Sequence, residues 1–309
     1  MTVLMPHIAS RLFNTELMVE PGKLQAFLVG LGARIVDGGV EMAGIEPIEH
    51  TAFSRRRPSD AMGRVGDPLG QAFERNNVGH RLVERVGNGD VGLIAIEGTL
   101  IHKGRFIGQD SGETSYEGIQ AQVARARRDS SLKAIVFEVD SFGGEVAGAF
   151  ETARMIGELS KEKPTLAILT DFALSAGYLM ASAARQIVMG ETGAAGSIGV
   201  VTMHVDFSKQ LESRGIKVTL LASGVHKVDG NSFQPLDEEV KSTIQARLDR
   251  SRSLFATTVA GFRGSRLTKA KAMATEAQVF HGEQAVEAGM VDGIVDPQRA
   301  FAEFLKSVK

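Results

Sequence analysis

The most informative segment for the fold is Thr165-Leu166-Ala167-Ile168-Leu169-Thr170, which is followed by Asp171-Phe172-Ala173-Leu174-Ser175-Ala176-Gly177-Tyr178. The first run is short and mostly apolar, which predicts a buried strand. The residues from Ala176 to Ala184 are mostly good helix formers. A strand that leads directly into a helix is the building unit of a parallel α/β sheet, and Ser175 lies at the junction.

The same alternation extends in both directions along the chain. Val146, Phe150, Ala153 and Ile156 recur at steps of four, three and three, which is one face of a helix. Further elements are predicted as buried strands at 91–96, 133–139 and 186–189, a long helix over 236–262 and a helix–strand–helix segment over 282–305. The fold class is therefore predicted to be α/β, with helices covering a mainly parallel sheet.

Composition divides the chain into three regions. Residues 1–52 mix short apolar runs with glycines, which predicts a small amino-terminal subregion. Residues 53–88 have few large apolar side chains and predict a linker or mobile loop. All the elements predicted above lie in residues 89–309. The triplet Arg55-Arg56-Arg57 is interpreted either as solvated surface or as a docking site for an acidic partner.

Overall composition excludes several classes of protein. The chain has 309 residues, 43% of them apolar, which suffices for a sizeable core. The net charge of −2 argues against a dedicated nucleic-acid binder. The chain contains no cysteine, so thiol nucleophiles, disulfides and thiolate metal sites are excluded. No secretory signal or membrane-spanning run is recognisable, so the protein is predicted to be soluble and without a membrane anchor.

Ser175 and Lys227 are the candidate reacting groups. Ser175, at the start of a helix, is either a nucleophile near free backbone N–H groups or only the cap of that helix. Lys227 follows a predicted strand at 218–221 and can serve as a base if burial keeps it neutral. The adjacent His226, with an acid such as Asp140, Asp171 or Asp206, leaves a Ser-His-Asp triad open. No tight cluster of metal ligands occurs, so neither a metal nor another cofactor is predicted.

Gly143-Gly144 is the third candidate feature, predicted to follow a strand and to open a helix at Glu145. Glycines at such a place free a backbone N–H to bind an oxyanion. The alternative is an ordinary strand-to-helix turn. A dinucleotide site is disfavoured because the G-x-G-x-x-G spacing is absent.

Four motifs in this order resemble the signal peptide peptidase A family of serine–lysine peptidases over residues 90–297. They are Asp140-Ser141-Phe142-Gly143-Gly144, Leu174-Ser175-Ala176-Gly177-Tyr178, Gly196-Ser197-Ile198-Gly199-Val200 and Ser223-Gly224-Val225-His226-Lys227. Phe142 replaces a proline of the family pattern, Ala176 replaces a glycine, and Val228 separates Lys227 from the acid Asp229. None of these departures removes a reacting atom.

The resemblance implies roles for these residues. Ser175 would be the nucleophile, Lys227 the general base and Ser197 the group that orients the lysine, while the N–H groups of Gly144 and Ala176 would form the oxyanion hole. It also implies a Clp-protease/crotonase-like fold with repeated β-β-α units, and a homo-oligomeric ring in which serine and lysine can come from neighbouring protomers. In that mechanism His226 has no task.

The amino-terminal region and the segment 112–119 look like the branch of the family found in tailed phages and prophages. That branch processes scaffold, capsid or portal proteins during procapsid maturation, in the bacterial host cytoplasm and inside the procapsid. The alternatives are a host signal-peptide or protein-quality peptidase with the same chemistry, a crotonase-like acyl-CoA enzyme, and an inactive procapsid component.

Overall fold

A computed structural model describes residues 15–20, 83–103 and 113–308. Within these residues, ten strands belong to one sheet. They are β1 (Leu17–Val19), β2 (Glu84–Val86), β3 (Val91–Ile101), β4 (Glu113–Ser115), β5 (Ala134–Glu145), β6 (Thr165–Leu174), β7 (Gln186–Met189), β8 (Ala194–Gly196), β9 (Val279–His281) and β10 (Gly293–Ile294). The main run of the sheet has the order β10-β7-β6-β5-β3-β2, so the predicted α/β class is confirmed.

The helices lie between the strands, as the alternation predicts. They are α1 (Tyr116–Arg128), α2 (Ala149–Glu162), α3 (Ala176–Ser182), α4 (Ser208–Ser213), α5 (Glu238–Arg263), α6 (Lys269–Ala274), α7 (Glu283–Glu287) and α8 (Pro297–Ser307), with 3₁₀ turns at Val225–Val228 and Gly264–Arg266. The predicted strands at 91–96, 133–139, 165–170 and 186–189 are confirmed. The helices predicted after Ser175, over 236–262 and over 282–305 are confirmed as well.

The central strands are buried on both faces, since each contributes alternate side chains to two hydrophobic clusters. Ile94 and Ile96 pack with α1, α2, α3 and α5 on one face, whereas Val91 and Leu93 pack against Ala300 and Phe301 of α8 on the other. This alternation follows from the two-residue period of a strand. It explains why β3, β5 and β6 read as nearly continuous apolar runs.

Two short strands extend the sheet at the carboxyl ends of the parallel strands. β4 pairs with the end of β3, and β8 pairs with the end of β6 and with β9. β3, β4 and α1 follow one another as a β-β-α unit of the predicted kind, whereas β5 and β6 lead directly into α2 and α3. The carboxyl ends of β5, β6 and β8 meet at one edge, where Gly143-Gly144, Ser175 and Ser197 lie.

Two predictions about secondary structure are wrong. Residues 218–221 form no strand, because no strand in the described part of the chain pairs with them, and the segment is largely exposed. Gly143-Gly144 do not open a helix, because β5 continues through Glu145 with pairing to both β1 and β3, and α2 begins only at Ala149.

The division into three regions stays a prediction. β2 lies within the range assigned to a linker, 53–88, and is paired with β3 in the sheet. Most of the amino-terminal subregion, the arginine triplet Arg55-Arg56-Arg57 and Gly112 lie outside the described residues. In the part of the chain that the structure describes, no helix has the length and apolar character needed to cross a membrane.

Candidate active site

Ser175 occupies a strained backbone position between β6 and α3. Its φ of 53° and ψ of −119° lie in a region that residues with a side chain rarely adopt. Such strain costs on the order of 1–3 kcal/mol and collects at functional sites. The Ser175 N–H donates to the Gly196 carbonyl at 2.9 Å, which holds the strained residue against the end of β8.

The Ser175 hydroxyl is buried. The residue is 1% exposed, and Oγ has no hydrogen-bond partner among the residues that the structure describes. Although Ser175 is the residue before α3, its side chain makes no capping hydrogen bond. The interpretation of Ser175 as only a helix cap is therefore wrong, since the hydroxyl is held at the helix start for no local structural purpose.

Ser197 lies beside Ser175 because of the strand register. In the parallel pair β6 and β8, Leu174 is opposite Gly196, so the two serines follow directly after paired residues. Ser197 is also buried and also has a positive φ, 56°. Its N–H donates to the Gln278 carbonyl at 2.9 Å. The sheet thus brings two of the predicted site residues together.

The backbone around Gly143-Gly144 is packed against the start of α3. A Cβ atom on Gly143, where φ is 100°, would lie 3.0 Å from the Ala176 nitrogen and 2.0 Å from the Met18 carbonyl oxygen. A Cβ on Gly144 would lie 1.8 Å from the Leu100 carbonyl oxygen. Only glycines fit at these two positions, and the Gly143 backbone lies close to the first N–H of α3, which has no acceptor within its own helix.

Ser141 fixes this glycine segment, a role that the sequence analysis did not assign. Its hydroxyl donates to the Gly98 carbonyl at 2.6 Å and accepts from the Gly143 N–H at 3.1 Å. Gly177 packs against it so closely that a Cβ there would lie 2.8 Å from the Ser141 carbonyl oxygen. The serine within the first motif was the available signal, because a hydroxyl beside two glycines is suited to bonding their backbone.

Tyr178 of α3 and a buried ion pair near it help to hold this helix in place. The Tyr178 hydroxyl donates to the Met290 carbonyl at 2.9 Å, and burial raises the pKa of Tyr178. Arg263, whose side chain is fully buried, donates to both carboxylate oxygens of Asp292 at 2.8 and 3.0 Å. Burial opposes ionisation of Asp292, but the bonds and charge of Arg263 outweigh it and lower the pKa of that carboxyl. No local sequence motif indicates the Arg263–Asp292 pair, because its two residues are 29 positions apart in the chain.

Lys227 is not part of this buried arrangement. It lies in the 3₁₀ turn Val225–Val228 and is exposed, and among the described residues its ammonium group has no hydrogen bond or ion pair. His226 is exposed too, and its Nδ1 pairs with Asp229 Oδ2 at 2.9 Å rather than with any of the three acids considered for a triad. The structure therefore assembles the serine side of the predicted site and leaves the lysine side apart.

The segment around Lys227 carries an unusual amount of exposed apolar surface. Six large apolar side chains are exposed among the described residues, and five of them lie in residues 216–233: Ile216, Val218, Leu221, Val225 and Phe233. Leu221 and Val225 are 94% and 87% exposed. Contiguous exposed apolar side chains usually mark a surface that another chain covers. No group of three or more acidic, histidine or cysteine side chains within the described ranges is placed to hold a metal ion.

Comparison with known proteins finds a peptidase family and phage relatives. Residues 157–309 match the model described as "Peptidase family S49". Capsid assembly protease C of Escherichia phage lambda is 34% identical over 292 residues, which are 94% of this chain and 63% of that protein. Head-tail preconnector protein GP5 of Enterobacteria phage P21 is 35% identical over 96% of this chain and 56% of that protein. The chain thus spans somewhat more than half the length of these relatives.

Among solved structures, a ClpP1 mutant from Listeria monocytogenes aligns with a TM-score of 0.41 and 15% identity, covering 68% of this chain and 94% of that chain.

Proposed function

We propose that this chain, which carries a peptidase family S49 domain over residues 157–309, is a serine endopeptidase that uses a Ser-Lys dyad. The observation that carries the proposal is Ser175, a strained and buried serine at the start of a helix, whose hydroxyl has no hydrogen-bond partner among the described residues. A serine nucleophile needs a hydroxyl that is free to hydrogen-bond its general base, and a strained turn between strand and helix can present it in this way.

In the proposed mechanism, neutral Lys227 accepts the Ser175 hydroxyl proton as Oγ attacks the carbonyl carbon of a peptide bond. The N–H groups of Gly144 and Ala176 stabilise the oxyanion of the tetrahedral intermediate. Lys227 returns the proton to the leaving amine, which departs with its electron pair. Water then hydrolyses the acyl-enzyme by the same steps in reverse, and Ser197 orients the lysine amine throughout.

The exposure of Lys227 makes assembly part of the proposal. A lysine is a good base only when burial favours its neutral form, and an exposed side chain lacks that burial. We propose that neighbouring protomers cover the apolar side chains of residues 216–233 in a homo-oligomeric ring. Covering this surface would bury Lys227 beside a serine of the same or an adjacent protomer.

We propose phage scaffold, capsid or portal proteins as substrates, cleaved during procapsid maturation in the host cytoplasm and inside the procapsid. This proposal is supported by the name of the phage lambda relative, capsid assembly protease C, which aligns with 94% of this chain. Coexpression with a phage scaffold protein should yield cleaved scaffold with the wild type and intact scaffold with Ser175→Ala.

The dyad is tested by intact-mass analysis after incubation with a fluorophosphonate probe. We expect a gain of one probe mass on the wild type, none on Ser175→Ala, and little on Lys227→Ala. Ser182→Ala and Lys217→Ala are the matched controls, since Ser182 is a buried serine of α3 and Lys217 an exposed lysine near Lys227. Labelling of Ser175→Ala would mean that Ser175 is not the nucleophile. Full labelling of Lys227→Ala would mean that another residue is the base.

A further inference from the structure

The amino-terminal strand β1 lies between two segments that border Ser175. On one side it pairs antiparallel with the end of β5, so that Leu17, Met18 and Val19 are opposite Glu145, Gly144 and Gly143. On the other side, the N–H and carbonyl of Leu17 exchange hydrogen bonds with those of Val201, both at 2.8 Å. β1 is thus a middle strand, inserted between the glycine segment and the chain that follows Ser197.

The pairing places the Met18 carbonyl at the proposed oxyanion hole. Val146 donates to the Glu16 carbonyl at 3.3 Å and Glu20 donates to the Phe142 carbonyl at 3.0 Å. Hydrogen-bonded pairs of an antiparallel ladder recur every two residues, so Met18 and Gly144 form the pair between them. The Met18 oxygen and the Ala176 nitrogen both lie within 3.0 Å of the position that a Gly143 Cβ would take.

The strand is buried and anchored by its side chains. Leu17 and Met18 are almost fully buried, and Met18 belongs to the main hydrophobic cluster. Glu16 accepts from Arg247 Nε and from the Ser251 hydroxyl of α5, each at 2.6 Å. Thr202 donates through its hydroxyl to the Thr15 carbonyl at 2.8 Å.

We propose that residues 15–20 are an intramolecular ligand that fills the peptide-binding groove, so that an incoming polypeptide must displace them to reach Ser175. This proposal rests on the proposed function, and it adds that a segment of the same chain occupies the peptide-binding site. An extended peptide that adds to a sheet edge is held by backbone bonds of this kind. The near-complete burial of Ser175 is the expected state of a nucleophile whose groove is already filled.

A disulfide lock tests the proposal. Residues that exchange both backbone bonds have Cα atoms about 5.5 Å apart, within the range a disulfide spans. The chain has no cysteine, so Leu17→Cys/Val201→Cys can form a single intramolecular bond. We expect the oxidised variant to react with a fluorophosphonate probe at least about tenfold more slowly than its reduced form. Failure to form the bond, or equal rates in both forms, would overturn the proposal.

Loosening the anchor should have the opposite effect. Glu16→Gln and Arg247→Gln each remove one partner of a charge-assisted bond, so probe labelling should be about three- to tenfold faster. Glu303→Gln is the matched control, since it breaks the exposed Arg299–Glu303 ion pair on α8. Unchanged labelling in both anchor variants, with melting temperatures equal to that of the wild type, would contradict the proposal.

A thiol measurement separates this proposal from the peptidase itself. In the single variant Leu17→Cys, the buried thiol should react slowly with a maleimide, and the added Glu16→Gln change should speed the reaction. If the maleimide reaction behaves in this way but the probe labels no protein, the proposal that residues 15–20 fill the groove stands and the proposed peptidase activity is wrong. If the thiol of Leu17→Cys reacts with the maleimide as fast as it does in the unfolded chain, the proposal that residues 15–20 fill the groove is wrong, whether or not the probe labels Ser175.

Discussion

The two halves of the proposed dyad lie in regions of opposite character. The serine edge, formed by Gly143-Gly144, Ser175-Ala176 and Ser197, is buried and fixed by sheet register. The lysine segment, residues 216–233, is exposed and has one short 3₁₀ turn as its only regular structure. Both regions come from one chain, so the difference reflects what each packs against. In the proposed mechanism the sheet alone positions the nucleophile and the oxyanion hole, whereas the base would need a covering surface that the described residues of one protomer do not supply.

The sharpest test of this comparison places the same substitution in both regions. Gly144→Ala puts a methyl group into the Leu100 backbone, which cannot move without breaking the β3–β5 pairing. We expect a loss of about 4 kcal/mol in the free energy of unfolding. Gly215→Ala, next to the lysine segment, meets no atom within 4 Å, and only its φ of 73° is unfavourable.

The expected cost of Gly215→Ala is therefore about 1 kcal/mol. Denaturant unfolding of both variants measures the contrast. Similar losses for the two variants would mean that the backbone at Gly144 shifts as readily as the exposed loop, so that packing would not distinguish the two regions.

The ion pair beneath the serine edge gives the next largest effect. Asp292→Asn leaves the buried Arg263 guanidinium without a counter-charge, which should cost about 3 kcal/mol. The pKa of Asp292 is lowered in the folded state, so its stabilisation is complete at neutral pH and is lost as the pH falls through that lowered pKa.

Thermal unfolding as a function of pH therefore distinguishes the two proteins. The difference in stability between wild type and Asp292→Asn should be full above about pH 5 and should shrink in acid. Glu303→Gln, which breaks an exposed ion pair, should cost under about 1 kcal/mol. A pH-independent difference would indicate that the carboxylate charge is not what stabilises this region.

The same contrast explains what the sequence predicts well. Apolar runs such as Leu166–Leu169 are buried, so their pattern indicates the strand directly, and the position of Ser175 between strand and helix follows from the same pattern. Val218–Leu221 has a similar composition but no partner strand, and pattern alone does not tell an unpartnered apolar run from a paired one. The Arg263–Asp292 pair and the pairing of Leu17 with Val201 join residues far apart in the chain, for which local sequence holds no signal.

The smallest expected effect concerns the lysine segment. Leu221→Asp adds a charge to a side chain that is already 94% exposed, so the stability of the single protomer should change by under about 0.5 kcal/mol. If a neighbouring protomer covers this surface, the charge becomes costly to bury. Probe labelling of Ser175 at a fixed protein concentration should then fall about tenfold, equivalent to 1.4 kcal/mol.

Light scattering measured alongside should report smaller assemblies, and raising the protein concentration should restore labelling. Leu254→Asp, on α5 outside the segment, is the matched control. Equal labelling of Leu221→Asp and wild type across concentrations would mean that the lysine segment completes the site within its own protomer. Assembly would then not be required for activity, because Lys227 could act on Ser175 without a neighbouring protomer.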